Sequence, residues 1–126
     1  MTMSLNDIIR YREEKAFQTF KEAEANMWNG VANRLYYACF YMVSGLLLKE
    51  NLLAKSHSGA KVLFQKHFIK TGLIPDDLGR LYQNLFDLRS EGDYEDMVNF
   101  TASDLSPLLP QVETFLNQIK LILDTN

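Results

Sequence analysis

The chain has 126 residues, of which 47% are hydrophobic and 23% charged, with 13 Lys and Arg against 16 Asp and Glu for a formal net charge of −3. Those totals suit one soluble domain, 1–126, able to bury a core. They exclude a general affinity for polyanions, so any nucleic-acid contact must come from a local patch. The lone cysteine, Cys39, excludes an internal disulfide framework and fits a reducing compartment. The N-terminal stretch lacks the apolar core of a signal peptide, and no run approaches the ~18 apolar residues that span a bilayer. The expectation is a cytoplasmic protein with no membrane partner.

Taken in chain order, the apolar spacing predicts an all-α chain. Residues 5–27 carry Leu5, Ile9, Ala16 and Ala23 on a stripe repeating every three or four residues. Asn29-Gly30 then reads as a turn. A second helix over 31–50 is apolar almost all round, which predicts the central, most buried element. Ser56 has the character of an N-cap for a third helix over 57–71, and Gly72 that of its C-cap. Pro75 opens a fourth helix over about 75–91. An acidic loop follows Gly92, and a last helix starts near Ser103 or Ser106, takes Pro107 in its first turn and runs to about 123. Pro110 either delays that start or bends it. Short connections favour antiparallel neighbours, hence an up-and-down four-helix bundle with one additional short helix.

Much chemistry is missing. There is no Gly-rich phosphate loop, nucleophile elbow or CxxC. His57 and His67 are ten residues apart on one predicted helix, about 15 Å along its axis, so they cannot share a metal whose bonds are about 2 Å long. The EGDYED stretch offers Glu91, Asp93, Glu95 and Asp96 as oxygen donors, but a solvated, self-repelling connection explains it better. Neither a metal nor a cofactor is expected.

Three features stand out. The stripe Leu78, Leu81, Tyr82, Leu85, Leu88 leads to Arg89, a guanidinium where another leucine belongs. An arginine there must be paired, reach outward, or line a cleft. In the second helix, Asn33 and Arg34 share neighbouring strips with Tyr36, Tyr37, Phe40 and Tyr41, polar tips that need partners in the bundle, a pocket or a second subunit. Finally, residues 51–75 hold Lys55, Lys61, Lys66 and Lys70 without an acid, whereas 91–104 hold five acids without a Lys or Arg.

The segments NRLYYACFYMVSGLLL (33–48), KSHSGAKVLFQKHFIKTG (55–72) and LYQNLFDLRSEGDY (81–94), in that order, resemble the HEPN domain, in particular a small stand-alone prokaryotic branch with an HSG motif and an RxxxDY-type motif. The resemblance covers about residues 8–122. It implies an antiparallel four-helix bundle that forms homodimers, and activities that range from metal-independent ribonuclease toxins to RNA- or nucleotide-binding modules. It also implies a minimal nucleotidyltransferase partner, often in a toxin–antitoxin pair.

Catalytic members of that family carry an arginine followed a few residues later by a histidine, at a cleft built by two subunits. Arg89 matches the arginine, which places it in a dimer cleft. Tyr94 stands where the histidine would be, and no histidine occurs beyond His67. A phenol of pKa about 10 is no ready base at neutral pH. Five helical steps also turn about 140°, so Arg89 and Tyr94 converge only if the helix breaks, for which Gly92 is the candidate. His57 of the HSG motif could supply an imidazole from another helix.

Three readings follow. In the leading one, a cleft lined by Arg89, Arg34, Asn33, Tyr37, Tyr94 and His57 binds RNA or a nucleotide. The alternative is a metal-independent endoribonuclease using Arg89 with His57 or Tyr94. The third is a protein-interaction bundle in which Arg34 and Arg89 are structural.

Overall fold

The computed structural model describes residues 3–25, 28–94 and 100–125, without the side chains of residues 25, 28, 29 and 90–94. The described residues form an all-α bundle. Its elements are α1 (Leu5–Ala25), α2 (Trp28–Lys49), α3 (His57–Phe64) continuing into a π segment (Gln65–Ile69), α4 (Asp76–Tyr94), α5 (Ala102–Leu105) and α6 (Leu108–Asp124).

The near-continuous apolar surface of α2 makes it the hub. Leu35, Tyr36, Ala38, Cys39, Met42, Val43 and Leu46 are fully buried, and α2 packs against α1, α3, α4, α5 and α6. α1 runs antiparallel to it: Arg34 meets Glu22, and Gly45 lies against Ile9 and Arg12. At the far end, Lys49 in the last turn of α2 donates to the carbonyls of Ile122 and Leu123 at 2.8 and 3.2 Å, and to that of Thr125. The last carbonyls of a helix lack regular i+4 partners; here that of Ile122 also accepts from the Thr125 N–H at 3.3 Å. α2 and α6 therefore end side by side. Glu13, early in α1, reaches Lys120, late in α6, at 2.8 Å, so that pair is antiparallel.

Several boundaries fall where local chemistry puts them. Ser56 caps α3 by accepting from the Gly59 N–H at 2.9 Å. Gly72 has φ +83, and its N–H donates to the Ile69 carbonyl, closing the π segment. α4 starts at Asp76, directly after Pro75.

Others differ from expectation. Asn29-Gly30 is not a turn, because α2 already begins at Trp28. A glycine in a first turn gives up little, since the opening N–H groups have no helical acceptor anyway, and burial of Val31 and Ala32 holds the segment. The third helix changes register halfway. Lys70 N–H bonds the Gln65 carbonyl five residues back, which lets Phe64, Phe68 and Ile69 all turn inward while Gln65 Nε2 reaches the Gly79 carbonyl at 3.0 Å. The last helix is two elements. Thr101 and Asp104 form a capping box around the single turn α5, and Pro107 then precedes α6. Pro110 sits in the first turn of α6, where its missing N–H costs no hydrogen bond. It neither delays nor ends the helix.

The correction that bears on the site concerns α4. It does not stop at Gly92 but runs through it to Tyr94. An interior glycine disfavours a helix by only about 1 kcal/mol, less than the packing of the preceding turns supplies.

Candidate functional site

α2, α3 and α4 bring most of the sequence candidates to one place. The floor is aromatic. Tyr36 is fully buried and stacks on Tyr82 of α4 at 5.9 Å between centroids, with Tyr37, Phe40 and Phe86 against its edges and faces at 5.2, 6.1 and 6.0 Å.

Arg89 lies across this floor. Its guanidinium carbon is 5.3 Å from the Tyr36 ring centre and 5.8 Å from that of Tyr37. That explains a guanidinium on an apolar stripe, because ring quadrupoles attract it and tolerate its partial desolvation. Arg34 likewise has its guanidinium carbon 5.6 Å from the Tyr37 ring centre. It is oriented by Asn33, whose Oδ1 accepts from its Nε at 3.1 Å and its Nη2 at 2.5 Å, and it pairs with Glu22 at 3.3 Å. With side chains 35% and 43% exposed, that ion pair is a weak restraint that an incoming phosphate can displace.

His57, the first residue of α3, closes the cluster. Its ring centre is 4.4 Å from that of Phe40 and 5.6 Å from both Tyr36 and Tyr37. Its Nδ1 is 2.8 Å from the Tyr36 hydroxyl. Burial, and then the Arg89 charge, hold the imidazole below its ordinary pKa of 6.5. Burial pushes the Tyr36 phenol up to about 12 despite the opposing pulls of Tyr82 and Arg89. Tyr82 is raised further by burial and by the neighbouring Tyr36. Both phenols are protonated at neutral pH.

Asn33, Arg34, Tyr37, His57 and Arg89 thus converge, as the sequence suggested. At Tyr94 the structure shows only that α4 continues through Gly92 without the expected break. The Tyr94 side chain lies outside the described residues, as do Glu95 and Asp96 of the acidic stretch. No group of acids, histidines and cysteines among the described residues could hold a metal ion. His67 lies in the π segment, and Cys39 is wholly buried with its thiol pushed well up by desolvation, which makes it inert.

Sequence reasoning missed the parts that set the floor. Tyr82 read as an ordinary stripe residue, Phe86 was not singled out, and Lys61 read as one of several lysines on an acid-free stretch. In the fold the Lys61 ammonium sits 4.3 Å above the Phe86 ring, adding a third cation to the same side. The available signal was the pairing of aromatic positions 36, 37 and 40 on one helix with 82 and 86 on another.

An all-α bundle that sets two arginines, a lysine and an imidazole against one cluster of aromatic rings defines the class: a helical module with cations held over rings. The HEPN domain profile matches residues 9–122, and the chain belongs to that family. It is 34% identical to a UPF0332 protein of Thermotoga maritima over 93% of this chain and 92% of that one. It is also 32% identical to a Methanocaldococcus jannaschii protein named "Putative toxin MJ0142", over 85% of this chain and 76% of the relative. A UPF0332 protein of Archaeoglobus fulgidus matches at 29% identity over 94% of both chains.

Proposed function

We propose that this HEPN chain is a cytoplasmic RNA- or nucleotide-binding module. The convergence of Arg89, Arg34 and Tyr37 carries the reading: two planar guanidinium forks suited to phosphate lie within about 6 Å of an aromatic ring suited to a base. Arg89 and Arg34 grip phosphate, Tyr37 stacks, Asn33 holds the Arg34 fork in orientation, and His57 supplies a ring N–H. A homodimer that joins two such faces, and a minimal nucleotidyltransferase partner, complete the proposal. The family resemblance supports both, and the toxin name of one relative fits a toxin–antitoxin role.

The test is fluorescence anisotropy of a labelled single-stranded RNA and of a labelled nucleotide, in EDTA, with wild type and Arg89→Ala. The reading expects at least about a tenfold weaker complex for the variant at unchanged helicity, with affinity falling as salt rises. Equal affinity for wild type and a folded variant overturns it.

A second reading, metal-independent endoribonuclease, draws on one observation: an imidazole held neutral near a guanidinium. The weakness is the tautomer. We assign the ring proton to Nε2, because the protonated Tyr36 phenol donates to Nδ1; the outward nitrogen is then a donor and not a free base. RNA cleavage in EDTA that disappears in both Arg89→Ala and His57→Ala would establish the enzyme.

A further inference from the structure

Beside His57 and Phe40, residues of α1, the end of α2 and the loop into α3 line a cavity of about 380 Å³. We propose that it binds a small organic anion with an aliphatic body, a medium-chain carboxylate.

Two contrasting parts of its wall lead there. One part is hydrocarbon, from Phe40, Leu47, Leu48 and Leu52. Leu53, at the mouth, is 82% exposed and gives a bound chain something further to cover. The polar part is cationic. Arg12 from α1 and Lys55 from the loop both line the cavity, and no Asp or Glu does so among the described residues. Such a site, mostly apolar with a few charged groups at one edge, is the usual form of a small-molecule pocket, and this volume is at the small end of that class.

The wall also argues against a nucleobase. Recognition of a base edge draws on side-chain donors and acceptors, and the wall offers few: the Ser44 hydroxyl already donates its proton to the Tyr41 carbonyl at 2.8 Å. The Ser56 hydroxyl is likewise engaged with the Gly59 N–H. Beside the His57 ring, the wall is mainly hydrocarbon to cover and cations to neutralise, which together favour an amphiphilic anion.

This inference goes beyond the RNA-binding reading and does not depend on it. Only His57 and Phe40 border both regions, so the test leaves them intact. Decanoate is titrated into the full chain below its micelle concentration by isothermal calorimetry, with decanol and adenosine monophosphate as comparators and circular dichroism to monitor the fold. The expected result is one saturable site for decanoate. Decanol binds at least about tenfold more weakly, and adenosine monophosphate does not compete. Arg12→Gln weakens decanoate, and so does Lys55→Glu, which alters an exposed loop residue and keeps the test valid should Arg12→Gln disturb α1. Arg89→Ala binds decanoate as wild type does, whatever happens to its RNA binding. Absence of a saturable site overturns the proposal, as does equal affinity for decanol, displacement by adenosine monophosphate, or unchanged binding in folded Lys55→Glu.

Discussion

The Tyr36 hydroxyl lies 2.8 Å from His57 Nδ1, so the most buried phenol of α2 sets the orientation of the first residue of α3. The phenol is the stronger acid of the two and the imidazole nitrogen the stronger base, so we assign the phenol as donor, which puts the histidine's own proton on Nε2. Nitrogen-15 NMR of the imidazole at neutral pH should show the Nε2–H tautomer. In Tyr36→Phe that preference should weaken, with a loss of about 1 kcal/mol of stability for the bond and the acceptor left behind. An Nδ1–H tautomer in wild type would refute the assignment.

His57 also gives the fold a pH dependence of definite sign. Its pKa is held below 6.5 in the folded state, by burial and then by Arg89, so the unfolded chain takes up the proton more readily. The contribution is fully present above about pH 6.5, is lost as pH falls from there toward the folded pKa, and levels off below it. Denaturant midpoints measured between pH 7.5 and 5 should fall for wild type. The fall should be shallower for His57→Gln; parallel curves for the two proteins would rule the histidine out as its source.

Gly79 marks the closest approach of α4 to the π segment. A Cβ there would meet Gln65 Oε1 and Ile69 Cγ1 at 3.0 Å, and Ile69 Cγ2 at 3.1 Å. Ile69 is buried and has little room to move, so Gly79→Ala should destabilise by about 2 kcal/mol, although alanine is the better helix former. Chemical denaturation measures this; a stabilised variant would mean that the π segment yields easily.

Lys49 ties the end of α2 to that of α6 through backbone carbonyls. Lys49→Met keeps the aliphatic stem and removes the donors. It should cost about 1.5 kcal/mol and increase amide exchange selectively in the last turn of α6. Uniform exchange changes across the bundle would argue against a local clasp.

The all-α class, the order of the long helices and the central position of α2 could be read from periodicity, because amphipathic spacing is a property of the chain itself. So could the Ser56 cap and the Gly72 stop, which depend on groups a few residues apart. Asn33, Arg34, Tyr37 and Arg89 were legible as candidates because a polar side chain on an apolar face needs a partner wherever the fold puts it, and His57 through the HSG motif of the family resemblance.

Contacts between helices were not legible. Periodicity could not show that Arg89 would find Tyr36 and Tyr37 beneath it, that Lys61 would sit over Phe86, or that the Tyr36 hydroxyl would hold His57. These pairs are 21 to 53 residues apart in the chain. Gly92 likewise suggested a break by its local preference, yet α4 continues to Tyr94. Spacing and capping are local and were settled by the sequence; which ring lies under which cation is settled only when helix packing brings distant side chains within a few ångströms.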